Sequence, residues 1–224
     1  LYESANPYRV NICKNYGANI LFTNANKAFD EVKNTEKEGY KFIHPFDGKH
    51  TLQGSATLGL EIAKQINNLN TKIDNVVISV GGGGLISGIG STLKQIFPHI
   101  NVVGVEPNGA KGMTDSLKIN SPLNKVEIDS IADSLCAPLH MAYSFDVASK
   151  VIDQMINIQD KDMIESMIFA FKNLKLFLEP ACVAGFAALK KMNFSKLSNQ
   201  NTLILLCGSN IDFQSWYQII KNSQ

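Results

Sequence analysis

Four consecutive glycines, Gly81 to Gly84, sit between the β-branched run Val76 to Val80 and the helical spacing of Leu85, Ile89 and Leu93. Few features restrict a fold more. Val76 to Val80 has the composition of an interior parallel strand, buried on both faces. The glycines leave backbone amides unobstructed at a helix N-terminus, where hydrogen bonds and partial positive charge bind a phosphate. No lysine follows in the Walker pattern, and the spacing is not a dinucleotide fingerprint. Tight strand–helix packing is a second use for the same glycines, and the sequence leaves both readings open.

The rest of the chain alternates helix and strand. Pro7 to Tyr16 reads as a short amphipathic helix through Tyr8, Ile12 and Cys13, ended by Gly17. Asn19 to Thr23 reads as a buried strand, Asn26 to Glu38 as a helix with Phe29 and Val32 on one face, and Tyr40 to Ile43 as another short strand. Pro45 to Lys49 is a loop by composition. Leu58, Ile62 and Ile66 predict a long helix from about Ser55 to Asn67. A strand from Asn101 to Val105 ends at Glu106-Pro107, and Asn108 to Asn157 gives no clear pattern. Asp160 to Lys175 predicts a helix with Asp160 as its cap. Cys182 to Met192 predicts a small-residue helix, and Thr202 to Leu206 a last strand before Cys207-Gly208-Ser209-Asn210. This order predicts an α/β fold, a mostly parallel sheet with helices on both faces. Ligands of such sheets bind at the carboxyl ends of the strands. The strand ends at Gly81, Glu106 and Cys207 are therefore expected to converge.

Composition removes several function classes. The formal net charge of +1 comes with no basic stripe, which gives no electrostatic case for nucleic acid. The 45% hydrophobic content of 224 residues supports a substantial core. No apolar run reaches the length of a membrane span, and no signal peptide is visible. Cys13, Cys136, Cys182 and Cys207 are too scattered for a metal motif and read as reduced thiols of a cytoplasmic protein. His44, His50, His99 and His140 form no metal-binding pair, and His44, just before Pro45, is expected to be structural.

Seven segments, in order, resemble one family. They are YGANILF from Tyr16, HPFDGKHTLQGSATLGLEI from His44, SVGGGGLISGI from Ser79, VVGVEPNGAKGMTDSL from Val102, SIADSL from Ser130, LEPACVAGFAAL from Leu178 and LLCGSNID from Leu205. The family is that of the serine/threonine dehydratases and serine racemases, pyridoxal-phosphate enzymes with the fold of the tryptophan synthase β subunit (fold type II). The resemblance implies that residues 1–44 are a remnant of a small α/β domain and residues 45–224 a large cofactor-binding domain. It implies that Gly81, Gly82, Gly83 and Gly84 hold the cofactor phosphate, with Cys207 beside the pyridine nitrogen and Asn210 in the same terminal turn. Some members hold a divalent cation at positions matching Glu106, Ala110 and Gly112, with an aspartate where this chain has glycine. Ser55, Ala56, Ser134 and the Glu179-Pro180-Ala181-Cys182 turn also depart from the family pattern.

The implied reaction is pyridoxal-phosphate-dependent dehydration and deamination of L-serine or L-threonine to a 2-oxo acid and ammonia. Serine racemisation, β-replacement and a non-catalytic binding protein on the same fold are the alternatives. The family's Schiff-base lysine lies in a Ser-x-Lys-x-Arg-Gly segment before the YGA helix, and nothing here matches it. Lys14, Lys27 and Lys33 read as solvated helix residues. The chain also opens at Leu1 rather than at a methionine. The expectation is that the lysine lies upstream or on a companion chain, that this chain alone is inactive, and that the complete protein is a homodimer.

Overall fold

A computed structural model describes every residue except 2, 4, 25–26, 193–198 and 223–224, together with the side chain of residue 29, which is also left out. Strand β1 (Asn75–Ser79) sends its side chains alternately to two cores. Val76 and Ile78 enter one core and Val77 the other, which is the period-two pattern of a strand buried on both faces. β2 (Asn101–Pro107) repeats it, with Val102 on the first side and Val103 and Val105 on the second. β3 (Gln154–Ile158) and β4 (Thr202–Ile204) complete a sheet of order β3-β2-β1-β4, with every pair parallel.

The first core is covered by α3 (Lys49–Leu69), α4 (Gly84–Ile96) and α6 (Ala142–Val151). The second is covered by α7 (Asp160–Phe169), α8 (Ala184–Leu189) and the C-terminal α9 (Phe213–Lys221), with Trp216 buried against the sheet side. α3 and α4 approach backbone to backbone. A Cβ on Gly88 would lie 2.5 Å from the Leu52 carbonyl oxygen and 2.6 Å from the Ala56 nitrogen, so only glycine fits there. α3 starts six residues before the sequence expectation, at Lys49, because the turn before it is locked. His44 Nδ1 accepts from the Phe46 and Asp47 N–H groups, and Thr51 Oγ1 donates to the His44 carbonyl. His44 is thus structural, as its place before Pro45 suggests.

Helices α1 (Pro7–Asn15) and α2 (Ala28–Lys37) form where they are expected, but the apolar face expected on α1 does not, since Tyr8 is exposed, Ile12 and Cys13 are half-buried and Val10 is the buried residue. The expected start of α2 at Asn26 and the Phe29 side chain lie outside the described residues. The strands expected at Asn19–Thr23 and Tyr40–Ile43 do not form. Thr23 exchanges single backbone bonds with Leu1 and Glu3, while Tyr40 and Ile43 remain exposed. Strand backbone needs a neighbour to take up its polar groups along its length, and among the described residues the first segment meets only the Leu1–Glu3 stretch, through isolated bonds. Asp160 does not cap α7. Gln159 holds that position, its N–H donating to Asp162 Oδ2, and the Asp160 carboxylate instead accepts from Ser130 Oγ and the Ile131 N–H. α7 also stops short of Lys175. It passes into a π turn over Ala170–Leu174, and Lys175 closes it in the left-handed region. The small-residue helix is shorter than expected at both ends, and β4 ends two residues before Leu206. Among the described residues no helix is long and apolar enough to cross a membrane.

Candidate cofactor site

The chain builds β1, β2 and β3 outward in one direction and then crosses back to lay β4 on the other side of β1. That reversal is the switch point at which open α/β sheets bind ligands. Gly81 follows the end of β1, and Cys207 lies just beyond β4. The two strands are neighbours, with Val77 level with Ile204. Gly81 to Gly84 and Cys207 accordingly line one cavity of about 390 Å³, together with Phe46, Leu135 and Glu179.

At the floor of this cavity the backbone amides of residues 81–86 donate to no protein acceptor among the described residues. Gly83, at φ +93°, turns the chain so that these amides run into the N-terminus of α4. Consecutive free amides at a helix N-terminus form the kind of nest that takes an anion. The packing reading of the glycines holds as well. A Cβ on Gly82 would lie 2.1 Å from the Phe46 ring, one on Gly84 2.6 Å from the Phe46 carbonyl oxygen, and one on Gly81 3.1 Å from the Leu135 Cα. The glycines thus let Phe46 and Leu135 clamp the outer side of the loop while its amides stay free.

Cys207 is exposed, and the thiols of Cys13, Cys136, Cys182 and Cys207 are all free. Asn210 does not line the cavity. Its carbonyl accepts from Arg9 Nε at 3.2 Å. Glu179 is the residue that motif reading passed over, although it stands inside the LEPACVAGFAAL segment. It is 5% exposed. Its Oε1 accepts from Ser134 Oγ at 3.3 Å, and its Oε2 is buried without a hydrogen bond, 3.8 Å from Arg9 Nη2. Burial pushes this carboxyl above its ordinary pKa, and the Arg9 guanidinium pulls the other way. An acidic side chain before proline in an apolar stretch is the one sequence signal that marks it.

Glu106, the third expected strand end, does not reach the cavity. Its carboxylate is fully buried and accepts from the Met113 N–H at 2.7 Å, the Thr114 N–H at 2.9 Å and Thr114 Oγ1 at 2.8 Å. It caps helix α5 (Gly112–Ile119) from β2, and burial pushes its pKa up to about 7 against those donors. Ala110 and Gly112 are buried beside it, but a Cβ on Gly112 would lie 2.5 Å from His140 Nε2. Both carboxylate oxygens are turned to amides, and position 112 has neither a side-chain oxygen nor room for one. Among the described residues no group of three or more His, Cys, Asp or Glu is placed to hold a metal.

A parallel sheet with free glycine amides at its switch point is an arrangement to which α/β proteins bring anionic ligands. The chain belongs to the pyridoxal-phosphate dependent enzyme family, whose model matches residues 1–208. Its parallel sheet flanked by helices is the tryptophan synthase β-like, fold type II architecture of that family. It is 38% identical over 214 residues to the phenylserine dehydratase of Ralstonia pickettii, covering 95% of this chain and 64% of that protein. It is 32% identical over 203 residues to the chloroplastic biosynthetic threonine dehydratase 2 of Solanum lycopersicum, covering 87% of this chain and 33% of that one. Among solved structures, maize serine racemase superposes with a TM-score of 0.85 at 26% identity, over 99% of this chain and 68% of that one. The processed threonine deaminase isoform 2 of Solanum lycopersicum gives 0.86 at 29% identity, over 98% and 64%. The chain thus spans about two thirds or less of the length of these relatives.

Proposed function

We propose that the protein containing this chain uses pyridoxal phosphate to dehydrate and deaminate a small β-hydroxy amino acid, L-serine or L-threonine, to a 2-oxo acid and ammonia. The free amides of residues 81–86, lining a cavity that also presents Cys207, carry this reading. Pyridoxal phosphate, when bound, supplies an electron sink for the pair left when the α-proton departs. The chain's own residues do the holding. The Gly81–Gly84 amides and the α4 N-terminus would hold its phosphate and Cys207 would stand beside its ring nitrogen, while Phe46 and Leu135 pack against the loop. The substrate loses its α-proton and its β-hydroxyl as one water. The enamine so formed takes a proton at the β-carbon and loses one from nitrogen to become an imine, which a water molecule hydrolyses, so that the net products are the 2-oxo acid and ammonia. Racemisation and β-replacement are told apart by product.

Among the described residues no lysine lines the cavity. In this reading the lysine that takes the α-proton lies outside this chain, and the chain alone binds cofactor without turnover. Three measurements test the reading. Calorimetry should show pyridoxal phosphate binding this chain far more tightly than pyridoxal, with the preference lost in Gly84→Val. Borohydride reduction followed by peptide mapping should modify no lysine of residues 1–224 in the full-length enzyme. Full-length Cys207→Ser should keep most 2-oxo acid formation, whereas Cys207→Asp should lose much of it with a shifted cofactor absorbance, because a carboxylate favours a proton on the ring nitrogen. Equal affinity for pyridoxal and its phosphate would sink the site assignment.

A further inference from the structure

Among the described residues that line the cavity above the phosphate cradle, Glu179 is the only one with a carboxyl or any other charged group. It is held from several sides. Its backbone N–H donates to the Gly208 carbonyl at 3.4 Å, and its own carbonyl accepts from the Cys182 N–H at 3.1 Å. Ser134 Oγ donates to Oε1 at 3.3 Å. A Cβ on Gly208 would lie 2.5 Å from Oε1, so the turn after Cys207 packs directly against the carboxylate.

Its charge is poorly balanced. Among the described residues the Arg9 guanidinium is the cation that meets it, and Arg9 is committed elsewhere. Nη1 and Nη2 fork onto Asp133 at 2.5 and 3.3 Å, and Nε donates to the Asn210 carbonyl. Glu179 Oε2 is left with the 3.8 Å approach of Nη2 and no hydrogen bond. Asp133 adds a second negative charge, so two carboxylates share one guanidinium. The remaining titratable groups of this corner are the thiols of Cys182 and Cys207. Burial pushes Cys182 up to about 12, so it stays a thiol near neutral pH.

A phosphorylated ligand on the Gly81–Gly84 amides tips this balance. It brings a charge of about −1.5 to −2 into the same cavity, and it displaces water from beside Glu179. Like charge and loss of water both favour the protonated carboxyl. Within a cavity of about 390 Å³ salt screens little of the repulsion. We propose that Glu179 is a proton-linked positioning residue of the cofactor site, gaining one proton from solvent within the Arg9–Asp133–Glu179 cluster when a phosphorylated pyridine ligand fills the cavity. The proposal rests on the cofactor reading above and adds the group that answers the ligand's charge. The burial that already raises this carboxyl's pKa acts in the same direction. Once neutral, Glu179 sets no negative charge near the Cys207 strand end, so the ring nitrogen meets no carboxylate there.

The test uses the full-length protein stripped of cofactor, with pyridoxine phosphate as the ligand. This ligand has no aldehyde and forms no link to a lysine. Calorimetry in buffers of different ionisation enthalpy, stepped from about pH 5 to 8, reads the protons bound with it. The ligand's own protons are common to all variants and cancel in the difference. The parent should take up as much as about one proton more than Glu179→Gln, and its affinity relative to that variant should fall by up to about tenfold per pH unit through the window. Above the window Glu179→Gln should bind the more tightly, the reverse of losing a merely structural carboxylate. Arg9→Met should move the parent's window to higher pH and Asp133→Asn to lower pH, each by roughly half a unit or more. The first removes the cation that favours the charged form, and the second removes the anion that opposes it and occupies Arg9. Equal proton uptake by parent and Glu179→Gln, weaker binding by that variant above the window, or shifts of one sign in Arg9→Met and Asp133→Asn overturns the proposal. Should Glu179→Gln fail to fold, the last pair decides. If the parent binds no pyridoxine phosphate at all, the cofactor reading falls and this proposal with it.

Discussion

Val10, at 8% exposure, is the only buried hydrophobic residue among the described residues 1–43, whereas β1 buries Val76, Val77 and Ile78 completely. The two regions have similar local signals, with short helices and apolar runs in both. They differ in what surrounds them. The sheet region lays helices over both faces of β1 and β2. The N-terminal region leaves Leu21, Phe22, Tyr40, Phe42 and Ile43 at the surface and is tied to the rest by a few polar links. Arg9 pairs with Asp133 and approaches Glu179, and Asn6 Nδ2 donates to Ser215 Oγ at 3.1 Å. Isolated short helices are marginal in water. The N-terminal region should therefore open locally at free energies well below that of global unfolding.

The largest effect should come from the packed region. Gly88→Val forces α3 off α4 and should cost about 3 kcal/mol or more, at the upper end for overpacked cores. Tyr16→Ala, at a side chain that is 86% exposed, should stay within about 0.5 kcal/mol. Urea unfolding of both variants makes the comparison, and similar losses would break it.

The next effect depends on pH. His140 is 5% exposed, its Nδ1 has no partner, and burial pushes its pKa down to about 4 from 6.5. Between those values the unfolded chain binds more protons than the folded one. Stability should accordingly fall as pH drops from about 6.5 towards 4 and level off below, by up to about 3 kcal/mol for this group. His44, also lowered by burial, acts in the same direction. The measurement is therefore the difference between the parent and His140→Leu, which should lose most of the acid slope. An unchanged slope would mean that His140 is solvated in the fold.

A smaller and more local effect should follow Arg9→Ala. The Asp133 side chain is 60% exposed, so global stability should fall by only about 0.5–1 kcal/mol. Hydrogen exchange in α1 should nonetheless speed up while the β1 and β2 amides keep their protection. Equal acceleration in both would show that the two regions unfold as one. The smallest effect is a gain. Gly54 is exposed in α3 with open space around its Cα, so Gly54→Ala should add about 0.5–1 kcal/mol.

Where burial is periodic and local, the sequence was sufficient. Val76 to Val80, the four glycines and Leu85, Ile89 and Leu93 specify a buried strand, a tight turn and a helix, because each pattern is written within one or two turns of chain. The same locality explains the failures. Asn19–Thr23 and Tyr40–Ile43 have strand-like residues, but a strand exists only where another backbone takes up its hydrogen bonds. β3 went unread because Gln154 and Asn157 break its apolar run, and only its register beside β2, with Val105 level with Ile156, makes it a strand. Glu106 looked like a ligand-facing strand end until α5 brought two amides and a hydroxyl to its carboxylate. Glu179 and Arg9 are 170 residues apart, and nothing local announces that they meet. What local periodicity encodes is which side of each segment avoids water. Which segments then lie side by side, and which polar atoms they leave free at residues 81–86, was decided only when β4 crossed back to pair with β1, because that pairing joins backbone groups more than a hundred residues apart.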